Sequence, residues 1–382
     1  MLVLLLIVME LILGIIVGIL ALGVLVIGHE FGHFCMARKN GVEVEEFGIG
    51  FPPRAIAWHK VDGKWKKIAK EDWEKVQGKG LVVSLNWLPI GGFCQMKGES
   101  AADKRKGTFG SASFWSKTKI LFGGVTVNWL IAILVFTVVA WVGMPKMLPN
   151  QFSIKSDERV NVLMPVTLGT VVENSPAALS GLRTDDIITG GASEVCEGEE
   201  GPCSIDRWDF VSAQDLLDFN KAHAGEAVYY DIASKESDRE RTVEVTLNGS
   251  DSEYLLGAEV MSDALYRSTW SAPIVGVGLT LQLTGETFKG VGVLIYDLVK
   301  GVITQFIPNH DVRTEGQAAL KEAGDSVTGP VGIIGVLFPT FLRAGFSKFM
   351  YLVALISVSL AVMNVLPIPA LDGGRWLLIA IY

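Results

Sequence analysis

Charge is scarce in this chain: Asp, Glu, Lys and Arg make up 19% of 382 residues, against 49% hydrophobic ones. Mean hydropathy is +0.38. A chain this apolar is excluded as an ordinary soluble protein of its size. Three stretches lack charge altogether: Leu11 to Gly28, Ile120 to Pro145 and Phe349 to Leu371. A bilayer-spanning helix needs about 20 apolar residues, so each is expected to be one. A basic leader segment and a small-residue cleavage site are missing ahead of the first stretch, which excludes a secretory signal peptide. Internal repeats and low-complexity tracts are absent too. Cysteine is limited to four residues.

The charges that remain are unevenly placed. Residues 38–119 carry 16 Lys and Arg against 9 Asp and Glu, whereas 150–269 carry 9 against 23. Arg38, Lys39, Lys117 and Lys119 flank the first of these segments. By the positive-inside rule it faces the cytoplasm. The expected topology therefore has the N-terminus outside, 38–119 inside and 146 to about 345 outside. Cys35 and Cys94 then lie on the reducing side. Cys196 and Cys203, bracketing "CEGEEGPC", lie outside, as a disulfide or as two surface thiols.

Six segments are expected. They are a first spanning helix (1–37), a β-rich region (38–117), a second span (118–145), a compact α+β domain (160–265), an amphipathic helix (271–304) and a third span (326–382). In the β-rich region, "LVVSLNWLPIGGFCQMKGE" (81–99) alternates like a strand and is broken by Pro89 and Gly91-Gly92. It reads as a hairpin or a strand bent back on itself, apolar enough to dip into the membrane. In 169–193 the order is strand, Ser175-Pro176 helix start, Gly181 helix stop, then strand. "AVYYDIAS" and "RTVEVTLNG" follow as strands. Over 271–304, Glu286, Lys289, Asp297 and Lys300 fall near one helical face. That favours a helix on the outer surface over a polar-lined span.

The chemistry sits at the end of the first span, in "VLVIGHEFGHFC" (24–35). His29 and His33 are four apart, on one face of a helix, and can grip one Zn²⁺. Glu30 beside them can take a proton from water. Such groups are costly in hydrocarbon, so they read as functional. The bland alternative, two histidines bonded to neighbouring helices, gives Glu30 no role. A catalytic zinc site needs a third protein ligand. Asp372, in "NVLPIPALDGGR" (364–375), is the other carboxylate at the end of an apolar helix. Counting from Arg38 and Arg375 places both sites within roughly 10 Å of the cytoplasmic surface at 1.5 Å per residue. Pro367 and Pro369 are expected to break the helix before Asp372, and Gly373-Gly374 after it. A helix cap is the competing role for Asp372.

These residues resemble the site-2 proteases, intramembrane zinc metalloproteases, in their bacterial branch similar to regulator-of-sigma-E protease. "HEFGH" matches the family's H-E-x-x-H and "NVLPIPALDGG" its N-x-x-P-x-P-x-x-D-G. "GPVGI" (329–333) and "LPIGGFCQMKGE" (88–99) are similar to further family segments. Where the family has Gly-Pro-x-x-N in its second helix, this chain reads "GGVTVN" (123–128), with Val125 at the proline position and Asn128 kept. The resemblance implies a polytopic α-helical membrane protein with a membrane-reentrant β-hairpin and an extracytoplasmic PDZ-like domain at 160–265. "WLLIAIY" (376–382) is then the stump of a truncated fourth span. It implies Zn²⁺ held by His29, His33 and Asp372, Glu30 as general acid/base, and substrate contacts from Asn364, Asn128, Gly91, Gly92 and Phe93. It also implies a bacterial inner-membrane enzyme that cuts single-span membrane proteins within the bilayer, such as an anti-sigma factor or remnant signal peptides. An upstream site-1 protease acts first. No nucleic-acid partner is expected. The alternative is a non-catalytic scaffold whose PDZ-like domain binds extracytoplasmic tails.

Overall fold

The computed structural model describes residues 2–381 except 62, 70–72, 77–79, 100–102, 149, 197–202, 234–239, 253, 308–309 and 326–328. The chain divides into two compact units, 1–139 with 271–382, and 140–270.

The first unit opens with α1 (Leu2–Lys39), one continuous helix that carries the H-E-x-x-H residues. It has no proline, and in hydrocarbon a helix satisfies every backbone group internally. Arg38 and Lys39 lie in its last turn, where cations favour the carbonyl end. Then come β1 (Val44–Val61), β2 (Lys64–Lys67), the short helix α2 (Trp73–Val76) and β3 (Val82–Met96). The sheet order is β2-β1-β3.

Of the two forms expected for 81–99, the bent-back strand is the one that forms. Its arms do not close on each other as a hairpin, because the first arm of β1 lies between them. Glu46 faces both Gln95 and Val82, and Ile49 both Gly92 and Leu85. The buried Glu46 carboxylate ties the layers together by pairing with Arg54 and accepting the Ser84 hydroxyl at 2.6 Å. Helix α3 (Phe114–Val142) follows and leads into the second unit.

The second unit holds β4 (Met144–Pro145), β5 (Arg159–Val171), α4 (Pro176–Leu179), β6 (Ile187–Cys196), β7 (Cys203–Asp209), α5 (Ala213–Ala222), β8 (Ala227–Ala233), β9 (Glu240–Thr246) and β10 (Ala258–Arg267). The sheet runs β4-β10-β5-β6-β8-β9, with β7 also on β6. Ser175 caps α4 by accepting the Ala178 N–H at 3.2 Å, Pro176 is its first residue, and Gly181 turns the chain out at φ +78°. The core is built from alternate residues of facing strands: Val228, Tyr230 and Ile232 from β8, Val166 and Leu168 from β5. Leu216 and Phe219 of α5 close it, fully buried. Cys196 and Cys203 stand opposite one another in the β6–β7 register. The loop between them, and so the choice between disulfide and thiols, lies outside the described residues.

Back in the first unit are α6 (Ala272–Thr304), α7 (His310–Asp325), α8 (Pro330–Gly332), a π-helical turn at Ile333–Leu337, α9 (Phe338–Arg343), α10 (Phe346–Val365) and α11 (Asp372–Ile381). Two expectations change in this stretch. The start of α6 does not lie flat on a surface. It runs antiparallel beside α3, with Gly276 against Ile133 and Thr137 and the Trp129 indole donating to Thr284 at 2.9 Å. The small residues Gly276 and Thr280 permit this approach. Glu286, Lys289, Asp297 and Lys300 all come after the packed part. The third span also ends earlier than the uncharged run suggests, at Val365, because Pro367 cannot continue a helix.

Among the described residues, three helices are long and apolar enough to cross a membrane: Val8–Lys39 within α1, Phe114–Val142 and Phe346–Val365.

Candidate metal centre

Residues 343 apart in sequence meet at one point. His29 Nε2 lies 3.1 Å from Asp372 Oδ2 and 3.1 Å from His33 Nε2. His33 Nε2 lies 3.3 Å from the same Asp372 oxygen. Tetrahedral Zn²⁺ with bonds of about 2.0–2.1 Å holds its ligand atoms roughly 3.3–3.5 Å apart. A triangle with these sides therefore fits a zinc ion with little adjustment. Glu30 also lies within 4.8 Å of both histidines. Its Oε2 accepts the Cys94 N–H at 3.0 Å, so Asp372 is the better third ligand.

The far side of each imidazole is also held. His33 Nδ1 donates to the Ile120 carbonyl at 2.8 Å. That fixes the tautomer and leaves Nε2 free to bind metal. His29 Nδ1 lies 3.3 Å from the Asn128 amide, whose Oδ1 is buried without a partner. Oxygen and nitrogen of an amide are assigned from the bonding network. Turning the amide over gives the orphaned oxygen the Nδ1–H and leaves His29 Nε2 as a metal-facing lone pair. The Ser357 hydroxyl donates to the Asn128 carbonyl at 2.7 Å and ties α10 to the same point.

Backbone contact sets the depth of the pocket. Helices α1 and α3 cross at Gly32 and Gly123, where a Cβ on either glycine would run into the other's carbonyl. One residue on, a Cβ on Gly124 would lie 2.6 Å from His29 Cε1 and 2.7 Å from His33 Nε2. The imidazoles occupy the space that its missing side chain leaves. On the other wall, Asp372 is the first residue of α11. Gly373 and Gly374 do not stop a helix, as the sequence suggested. They begin one, and without side chains they press on the backbone at Val365–Pro369. The Asp372 carboxylate turns to the histidines. Trp376 anchors α11 by donating to Thr118 Oγ1 at 3.0 Å.

The centre opens into a cavity of about 240 Å³ lined by Glu30, Cys94, Met96, Glu99, Asn364 and Arg375 besides the three ligand candidates. Asn364 is where the sequence placed it, beside the centre. Asn128, expected as a substrate contact, is 1% exposed and stands behind His29 rather than on the cavity lining. Gly91 and Gly92 pack on Val26 and Ile27 of α1, and Phe93 stacks near Phe51. The β3 residues that line the cavity are Cys94 and Met96, which sequence reasoning passed over. Gly124, Trp376 and Arg375 were missed as well. Only the Gly123-Gly124 pair inside a span offered a signal.

A model of peptidase family M50 matches residues 17–382. A protein of Clostridium acetobutylicum, provisionally named a zinc metalloprotease, is 28% identical over 362 residues, covering 94% of this chain and 84% of its own. Protease RseP of Yersinia pestis is 27% identical over 425 residues, covering 95% of this chain and 89% of its own. The regulator of sigma-E protease RseP of Salmonella typhimurium is 26% identical over 429 residues, with the same shares.

Proposed function

Because the chain belongs to peptidase family M50, the site-2 proteases, we propose that His29, His33 and Asp372 hold its zinc, that Glu30 is its general acid/base, and that it cuts the spanning segments of single-span membrane proteins. Its membership of the family makes it a zinc-dependent metallopeptidase of regulated intramembrane proteolysis, in a multi-pass bacterial inner-membrane protein. The observation that carries the site assignment is the triangle of ligand atoms with sides of 3.1–3.3 Å.

Zinc, when bound, supplies Lewis acidity that polarises a substrate carbonyl and eases deprotonation of water. The rest is the work of the chain's own residues. Glu30 takes the proton of the attacking water and returns it to the leaving amine. Asn128 and the Ile120 carbonyl hold the two imidazoles in the tautomer that faces the metal. A helical substrate hides its carbonyls in its own hydrogen bonds, so it must unwind first. The outer edge of β3 at Cys94 and Met96 then takes the extended segment by strand addition. Asn364 steadies it beside the centre, and the glycine-rich bend at Gly91-Gly92-Phe93 dips into the membrane to bring the edge to that depth. The charge asymmetry supports residues 38–119 inside and 146 to about 345 outside, which takes the 140–270 unit outside. That unit acts as a PDZ-like size filter, admitting substrates already trimmed by an upstream protease. An anti-sigma factor or a remnant signal peptide fits this description.

Two variants test the assignment. Glu30→Gln is expected to keep about one zinc per chain while cleavage of a membrane-spanning peptide is lost. Asp372→Ala is expected to lose the zinc too. Undiminished cleavage by purified Glu30→Gln, or full zinc retention by Asp372→Ala, overturns these roles.

A further inference from the structure

The edge of β3 that faces the cavity is already occupied. Along an edge strand alternate N–H groups point outward. The Lys97 N–H bonds the Glu43 carbonyl at 2.9 Å, on the β1 side. Cys94 and Met96 therefore turn theirs the other way. The Cys94 N–H meets Glu30 Oε2 at 3.0 Å, and the Met96 N–H meets Glu99 Oε1 at 3.2 Å. Two successive outward donors are thus each covered by a carboxylate. These are the donors that an added strand would need. Glu99 has a second tie: its Oε2 lies 3.7 Å from an Arg375 nitrogen. Arg375 stands three residues after Asp372 on α11, with its guanidinium 5.7 Å from the centre of the Phe109 ring.

We propose that Glu99 is a removable cap on the substrate-pairing edge of β3, held over the Met96 N–H by Arg375, which an extended peptide must displace before it can be cut. The proposal rests on the proteolytic reading above and adds a gate to it. Glu99 and Arg375 are positioning residues: neither touches the reacting atoms. The chemistry suits a gate. Glu99 and Arg375 are both part-exposed, so their pairing is weak and solvent competes for it. A cap of this strength keeps the edge from pairing with a stray chain yet yields to a peptide that makes several backbone bonds at once. It also couples pairing to the centre, since the same incoming strand takes the Cys94 N–H and releases the Glu30 carboxylate for proton transfer.

Two readouts on the full, zinc-loaded chain test it. The first is amide exchange over residues 94–97 without substrate. Glu99→Ala and Arg375→Ala are expected to speed exchange at Met96 by about tenfold, the protection that one hydrogen bond gives. The second is steady-state cleavage of a synthetic peptide with a single membrane-spanning segment. KM is expected to fall about three- to tenfold in Glu99→Ala, with kcat within about twofold of wild type. Glu99→Gln, which keeps an acceptor but not the charge, falls between. Unchanged exchange at Met96, or a KM that is unchanged or raised, overturns the cap. If the wild-type chain cuts no membrane-spanning peptide, the proteolytic reading fails instead, and the exchange measurement still decides the cap by itself.

Discussion

Adding one methyl group at Gly124 should disable the metal centre without unfolding the protein. The new Cβ would sit 2.6 Å from His29 Cε1 and 2.7 Å from both His29 Nδ1 and His33 Nε2, where ordinary contact begins at 3.4 Å. Something must move by roughly 0.7 Å. Retreat of helix α3 would open the backbone-to-backbone packing with α1 at Gly32 and Gly123. The imidazoles cannot retreat freely either, because Asn128 and the Ile120 carbonyl hold their far sides. Overpacking of this kind costs about 1–3 kcal/mol. Taken from metal binding at about 1.4 kcal/mol per decade, that is a loss of roughly five- to 150-fold in zinc affinity. The assay is zinc retention during dialysis against graded chelator, with circular dichroism to follow helix content and peptide cleavage measured in parallel. Gly28→Ala is the control. Its Cβ would crowd the movable tip of Ile131, at 2.6 Å, and touch Val127 Cγ1 at an ordinary 3.7 Å, so zinc retention should stay near wild type. A Gly124→Ala protein with wild-type zinc affinity and cleavage would refute the reasoning, since the histidines would then have room that the structure denies them.

Two further outcomes follow from the same contacts. Asn128→Leu removes the acceptor behind His29 and should weaken zinc binding by about 10–100-fold, whereas Asn128→Asp keeps an acceptor and should retain much of it; equal retention by both in the dialysis assay would dismiss Asn128 as an orienting residue. Phe219→Ala empties the core of the 140–270 unit at a cost of about 3–5 kcal/mol, and should let protease nick that unit while zinc content holds. If the unit is a size filter, the same variant should begin to cut untrimmed substrates, and preserved selectivity would argue against the filter.

Much of this was legible in the sequence because hydrocarbon leaves few choices. Uncharged runs forced three helices, and the misplaced polar groups His29, Glu30, His33 and Asp372 marked the site. What stayed hidden depends on contacts between segments far apart in the chain. Asn128 was expected as a substrate contact only because the family resemblance implied it; the packing of α3 on α1 is what sets it behind His29. Gly373 and Gly374 read as helix breakers from composition, yet in the fold they are a tight joint, since glycine serves close approach as well as chain reversal. The insertion of β1 between the arms of β3 left no periodic trace, because register across a sheet is not written in the alternation of either strand alone. The packed start of α6 was obscured by four charges that all follow it.

The proposed centre draws its candidate ligands from elements that touch backbone to backbone at glycines: α1 and α3 at Gly32, Gly123 and Gly124 on one wall, and Gly373 and Gly374 of α11 against residues 365–369 on the other. Inside a bilayer there is no hydrophobic drive to press helices together, so close packing of small residues must do it. Side chains interposed between the helices would hold them farther apart and allow rotamer changes to move the ligands. Contact between backbones leaves no such slack. A site whose ligand atoms already stand 3.1–3.3 Å apart needs little rearrangement to take up zinc, so binding energy is not spent on bringing the helices together. On this view the movable parts of the enzyme lie in front of the metal, along the β3 edge with Glu30 and Glu99, and the parts behind it are built to stay still.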